Sequence, residues 1–240
     1  MKFLSCFALI AFFASHCPAA DTVEHGFLDR VFTGEDKSEV KYVLFVPPGY
    51  KGDKAIPLVM FLHGSGSTGT DGKKQVGGIS AAIRKDEKAF PAIVLFPQSQ
   101  KGGWKADGAE GKRAMAILAE VEKKYKVDDK RVYLTGLSMG GFGTWSLAAA
   151  HSEKWAAIVP ICGGGDVKTA GKFKDLPCWC FHGDADPTVK VEQSRNMIKA
   201  LKDAGGNPKY TEYPGVEHNS WTKAYATKEL YDWLWEQKKN

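Results

Sequence analysis

The segment Gly136-Leu137-Ser138-Met139-Gly140 carries the strongest chemical signal in this 240-residue chain. A serine flanked at one remove by two glycines suits a sharp turn from a strand into a helix, where the missing side chains relieve crowding around a strained nucleophile. The pattern is weak by itself, and its setting gives it weight. Arg131 to Thr135 reads as the strand that such a turn requires, and Gly141 to Ala150 as the small-residue helix that follows. A serine hydroxyl attacks poorly at neutral pH, so it needs a base to take its proton and an acid to orient that base.

In a strand-turn-helix site of this kind the partners follow in the order acid, then histidine, on loops after later strands. Three histidines lie downstream of Ser138. His151 falls at the end of the helix after the serine, where interaction with helix-end carbonyls is expected. His182 ends a strand and is expected to pack or hydrogen-bond within its loop. His218 lies in Gly215-Val216-Glu217-His218-Asn219, a polar loop between a last strand at Lys209 to Tyr213 and the terminal helix. That is the position required of the base. Asp184 and Asp186 both follow the strand Cys178 to His182, and Asp166 also follows a strand end, so position alone leaves the acid open.

Acyl transfer also needs two backbone donors aimed at the developing oxyanion. The amide of Met139, directly after the serine, is one. The other is expected from His63-Gly64-Ser65-Gly66-Ser67, which follows the apolar run Ile56 to Leu62. Ser65 is the first choice there and Gly66 the second.

These groups have to be held by a frame, and the chain spells one out. Ser38 to Val46 alternates polar and apolar residues before Pro47-Pro48-Gly49. Ile56 to Leu62, Ala92 to Phe96, Arg131 to Thr135, Ala156 to Ile161 and Cys178 to His182 are short apolar runs, most of them closed by glycine or proline. Strands apolar on both faces belong to a sheet covered on both sides, which usually means parallel strands. Glu110 to Tyr125 carries Ala114, Ile117, Leu118, Val121 and Tyr125 at helical spacing. Phe142 to His151 reads as a buried helix, and Glu192 to Ala204 and Thr222 to Gln237 as amphipathic ones. The alternation predicts an α/β fold with a mostly parallel, doubly wound sheet in a single domain.

Met1-Lys2, the apolar run Phe3 to Ala14 and the small residues Ala19-Ala20 before Asp21 have the order of a secretory signal peptide. The expected division is therefore a leader over 1–20 and a catalytic domain over 21–240, secreted or periplasmic. The apolar run is shorter than the roughly 20 residues a bilayer span needs, and no second long apolar segment follows, so no membrane span is expected. The formal net charge is +5, with 33 basic and 28 acidic residues. Loss of the leader removes one lysine, and no dense basic stripe remains for nucleic acid. Cys6 and Cys17 fall in the leader. Cys162, Cys178 and Cys180 are read as buried thiols, although one disulfide plus one free thiol also fits an odd count. Neither paired C-x-x-C motifs nor H-E-x-x-H occurs, so no metal and no cofactor is expected.

Together His63-Gly64-Ser65-Gly66, Gly136 to Gly140, His182 to Val189 and Glu217-His218 resemble the α/β-hydrolase superfamily. The similarity is closest to its lidless carboxylesterase branch, around polyhydroxyalkanoate-depolymerase-like, feruloyl-esterase-like, dienelactone hydrolase and phospholipase/carboxylesterase proteins. It spans nearly all of the chain after the leader. The resemblance implies a triad of Ser138, Asp186 and His218, with the acid at the Asp-Pro-x-Val step. Pro187 would fix the backbone beside Asp186, whereas Asp184, after Gly183, is expected to bond nearby loop amides. Only Gly163 to Pro177 separates two strands where relatives commonly insert a lid, so no cap domain is expected. The expected function is a secreted serine esterase for short-chain or aromatic acyl esters, polymer-attached substrates included. Trp104 and Trp221 are candidate pocket walls. A prolyl-oligopeptidase-like peptidase and a catalytically silent binding module are the rival readings.

Overall fold

The computed structural model describes residues 23–239. Eight strands form one sheet: β1 (Gly26–Thr33), β2 (Glu39–Val46), β3 (Ile56–Leu62), β4 (Ile93–Pro97), β5 (Val127–Leu137), β6 (Ala157–Ile161), β7 (Trp179–Gly183) and β8 (Lys209–Tyr213). Their spatial order is β1-β2-β4-β3-β5-β6-β7-β8. β1 and β2 pair antiparallel, as do β2 and β4, and from β4 to β8 every neighbour is parallel. The helices are α1 (Ser80–Lys85), α2 (Ala109–Lys124), α3 (Met139–Ala150), α4 (Glu192–Asp203), α5 (Trp221–Ala226) and α6 (Lys228–Glu236). This is the single-domain α/β-hydrolase arrangement.

The apolar strands are covered on both faces, as their composition demands. Leu58, Met60 and Leu62 of β3 point into one core layer with α2, α3 and α4, where Ile117, Trp145 and Met197 meet them. Val59 and Phe61 point into the opposite layer, shared with Ile83 of α1, Tyr225 of α5 and Leu234 of α6. The period of two along each strand therefore feeds two cores at once. From β3 the chain moves to β4 on one side, then crosses back to β5 on the other. That reversal opens a crevice beyond the strand ends, and the loops after β3 and β5 border it.

The structure departs from the sequence reading at three places. β1 is an additional strand; it lies at the sheet edge and is only partly buried, so Asp29 and Arg30 interrupt the apolar alternation without penalty. The segment read as one helix over Thr222 to Gln237 is two. Thr227 takes an extended conformation, φ −77° and ψ 113°, and its hydroxyl bonds back to the Lys223 carbonyl at 2.9 Å. The bend lets Tyr225 and Leu234 reach the same core layer. The short α1 was also not read from the Gly-rich stretch before it. Between β6 and β7 there is only a short 3₁₀ turn at Val167–Lys172, with no cap domain.

Candidate active site

Ser138 sits between β5 and α3 with φ 53° and ψ −118°, a conformation that a side chain rarely adopts. The turn is forced by packing against β3. A Cβ at Gly140 would lie 1.9 Å from the Leu62 carbonyl oxygen, so only glycine lets α3 start this close to its neighbour. The Ser138 amide is held by the Ile161 carbonyl at 3.0 Å, which anchors the turn to β6 as well. The hydroxyl is thereby lifted to the rim of the sheet.

His218 reaches it from the loop after β8. Its Nε2 lies 2.9 Å from Ser138 Oγ, and its Nδ1 lies 2.7 Å from Asp186 Oδ2. A carboxylate only accepts, so the proton belongs on Nδ1, leaving Nε2 bare to accept the serine proton. Two loops must meet to build this pair, and their backbones are stitched together. Asp184 N–H donates to Tyr213 O at 3.2 Å and Ala185 N–H to Val216 O at 3.1 Å. A Cβ at Gly183 would fall 2.0 Å from Val216 O, so this approach also depends on glycine.

Asp186 is buried at 4 % exposure, yet well supplied with donors. Thr188 N–H and Val189 N–H donate to Oδ1 at 2.8 and 2.9 Å. Burial alone would raise its pKa; the hydrogen bonds from His218, Val189 and Thr188 outweigh it and hold the carboxyl below its ordinary value. Asp186 thus stays ionised opposite the histidine. Asp184 instead accepts from the Gly215 amide at 2.7 Å and is exposed. Asp166 caps its own 3₁₀ turn by accepting from Lys168 N–H. His151 ends α3 through its backbone N–H to Leu147 O, with no side-chain cap, so the expected ring contact with helix-end carbonyls is corrected.

Ser65 and Met139 occupy equivalent positions in their elements. Each opens a helical turn, Ser65 the 3₁₀ turn Ser65–Ser67 and Met139 the helix α3. First-turn N–H groups have no partner inside their own helix, and the helix dipole favours negative charge there. Gly66 lies inside the 3₁₀ turn. His63 fixes the loop before it: its Nδ1 lies 2.7 Å from Gly64 O and its Nε2 accepts from Ser99 N–H at 3.0 Å.

Trp104 and Trp221 belong to different walls. Trp104 is buried, donates its indole N–H to His63 O at 3.1 Å, and lines a recess of about 420 Å³ with Gly103, Met139 and Phe142. Trp221 packs edge-on against the His218 ring, centroids 5.3 Å apart, and lines a separate groove of about 770 Å³ with Tyr225, Tyr231 and Trp235. The two hollows share no residue.

His182 does hydrogen-bond within its loop, to Val189 O at 2.9 Å, and Cys162 is a buried thiol, both as expected; what sequence reasoning did not read is how near both lie to Asp186. His182 is fully buried, with Nε2 3.2 Å from the same Asp186 oxygen that faces His218. Its spacing of four residues before Asp186 was the available clue. Cys162, with φ 39°, puts its sulfur within 4.8 Å of Asp186 and His218 ligand atoms. Burial pushes that thiol up to about 12, so it stays protonated. A protonated thiol and a carboxylate already bound to its histidine suit proton chemistry better than metal binding. Cys162, Cys178 and Cys180 are all free and buried.

A strained serine at a strand-to-helix turn, a histidine from the last loop and a buried acid on an eight-stranded sheet define an α/β-hydrolase. The chain belongs to the dienelactone hydrolase family, whose model matches residues 41–230. It is 29 % identical to a bifunctional acetylxylan esterase/xylanase of Neocallimastix patriciarum over 74 % of this chain and 26 % of that protein. It is 28 % identical to a probable feruloyl esterase C of Aspergillus terreus over 69 % of this chain and 62 % of the relative. The chain thus spans about a quarter of the first relative and about six-tenths of the second. A solved structure described as a thermostable esterase superposes with a TM-score of 0.82 at 37 % identity, covering 89 % of this chain and 63 % of that one.

Proposed function

We propose that the protein is a secreted serine carboxylesterase that hydrolyses short-chain or aromatic acyl esters, with Ser138, His218 and Asp186 as its catalytic triad. The observation that carries this is the unbroken hydrogen-bonded chain from Ser138 Oγ through the His218 ring to buried Asp186. His218 takes the serine proton as Oγ attacks the ester carbonyl, and the Ser65 and Met139 amides receive the oxyanion. His218 then gives that proton to the leaving alcohol, and water repeats the sequence on the acyl-enzyme. Residues 1–20 act as an export leader and lie outside the described structure; 21–240 form the catalytic domain. Among the described residues no helix is long and apolar enough to cross a membrane.

The acyl group enters the recess beside Met139, where Trp104 and Phe142 supply aromatic walls. The alcohol lies on the Trp221 side of His218, open to solvent, which allows a polymer-attached leaving group. Feruloyl and acetylxylan esterases among the relatives support that substrate range. The test is a panel of acetyl, butyryl, feruloyl and long-chain esters beside a peptide amide. The short and aromatic esters should turn over and the amide should not. Faster cleavage of the amide would replace the esterase reading with a peptidase one.

A further inference from the structure

The helix behind the nucleophile presents Met139, Phe142 and Gly143 on one face, since residues three and four apart along a helix are neighbours. Opposite that face runs the loop after β4, and the two enclose the acyl recess. The back of the recess is rigid. Trp104 is buried, its indole N–H is bound to His63 O, and a Cβ at Gly143 would fall 2.3 Å from Trp104 Cβ, so the helix is already pressed against it. The mouth is built differently. Gly102 and Gly103 follow one another at φ 83° and 81°, a left-handed pair that glycine adopts without strain. Phe142, at 39 % exposure, stands open on the other side.

Two successive glycines need anchors to keep one shape, and side chains supply them. Ser99 N–H donates to His63 Nε2 at 3.0 Å, Gly102 N–H to Ser99 Oγ at 2.9 Å and Ala106 N–H to Ser146 Oγ at 3.0 Å. Gly103 N–H donates to Met139 Sδ at 3.0 Å. Of these acceptors only Met139 also lines the recess, and it directly follows Ser138. We propose that Met139 is a specificity-determining residue: its thioether, by accepting the Gly103 N–H, holds the mouth of the recess in the shape that admits a planar aromatic acyl group. This rests on the esterase reading above and names the acyl class that the recess favours. A flat ring has to enter a slot, and a slot already formed costs least to enter. An acetyl group fills little of a recess of about 420 Å³ and is indifferent to the shape of its mouth. The unbranched thioether also offers a polarisable flank to an aromatic ring. Leucine has nearly the same volume, but it is branched and has no sulfur, so the Gly103 amide loses its partner and the glycine pair relaxes.

The experiment measures kcat and KM for nitrophenyl cinnamate and nitrophenyl acetate on wild type, Met139→Leu and Met139→Gln, each shown to be folded. The Met139 amide also faces the oxyanion, so each variant's acetate rate is its own reference and any harm to that amide cancels in the ratio. Leucine should lower the cinnamate-to-acetate ratio of kcat/KM by about tenfold, the size of a misfit of one apolar group in a pocket. The loss should appear chiefly as a higher KM for cinnamate. Glutamine, unbranched and with an oxygen acceptor at similar reach, should recover most of the ratio. A second measurement, amide hydrogen exchange in the Ser138→Ala background, needs no turnover. Exchange at Gly103 should quicken in the leucine variant and stay slow with glutamine, while Gly102, held by Ser99, serves as the control. Free cinnamate titrated into the same proteins should bind the leucine variant more weakly. The proposal is overturned by an unchanged ratio in folded Met139→Leu, or by equal Gly103 exchange in wild type and the leucine variant. A glutamine variant that protects Gly103 yet loses the ratio also overturns it. If no ester is cleaved at all, the esterase reading fails, while exchange and cinnamate binding still decide the role of Met139.

Discussion

Asp186→Asn is a nearly isosteric change whose consequence can be followed atom by atom. The amide oxygen can keep the Thr188 and Val189 N–H bonds now made to Oδ1. The amide nitrogen then replaces Oδ2, the atom hydrogen-bonded to His218 Nδ1. Opposite His218 Nδ1, 2.7 Å away, a donor now stands where an acceptor was. The ring answers by moving its proton to Nε2, and Nε2–H points at Ser138 Oγ, 2.9 Å away, unable to accept its proton. In a serine protease triad the same substitution costs about 10⁴ in kcat, equivalent to about 5.5 kcal/mol of barrier. A loss of about 10⁴ is therefore expected at neutral pH. Asp184→Asn is the control, because its side chain can still accept from the Gly215 amide and lies at the surface. It should cost less than about 1 kcal/mol of stability and leave kcat within about twofold. The assay is kcat on a nitrophenyl ester for both variants, each checked by circular dichroism. A crippled Asp184→Asn beside a nearly normal Asp186→Asn would refute the assignment of the acid.

The remaining expectations follow from burial. His63 and His182 have lowered pKa values in the fold, chiefly through desolvation; unfolding lets them take up protons, so stability should be full above about pH 6.5 and decline as pH falls toward their folded values. Urea midpoints at pH 8, 6.5 and 5.5 test this, and a flat series would contradict it. Asp186, held below its ordinary value, adds a second loss only as pH falls below about 4, visible as a further drop in midpoint on that side. Cys162, Cys178 and Cys180 should resist a thiol reagent in the native protein and react after denaturation without reductant; a mass consistent with a disulfide among them would contradict the structure. With no domain between β6 and β7, activity on long-chain esters should show no jump at the micelle concentration, and a steep rise there would point to a lid.

The sequence carried most of this site because each part announces itself locally. The serine needs glycines at fixed offsets, the strands are short and apolar, and His218 stands alone in the last loop. Three features were harder. The identity of the acid depended on which carboxylate turns inward, a matter of loop stitching between Asp184, Ala185 and residues 213–216 that no periodicity records. The break at Thr227 depends on one hydroxyl bonding back to Lys223 within a segment whose apolar spacing reads as continuous. His182 read as packing or hydrogen-bonding within its loop, and it does bond Val189 O there; its closeness to the Asp186 oxygen that faces His218, thirty-six residues further along the chain, had no local signal beyond its four-residue spacing from Asp186.

The central claim is that Ser138 forms an acyl-enzyme. Incubating the protein with a fluorophosphonate and mapping the adduct by peptide mass spectrometry tests it directly. The account predicts stoichiometric modification of Ser138 alone, with parallel loss of esterase activity, and no adduct on folded Ser138→Ala. Labelling of that variant at the wild-type level, or full inhibition with Ser138 unmodified, would contradict it.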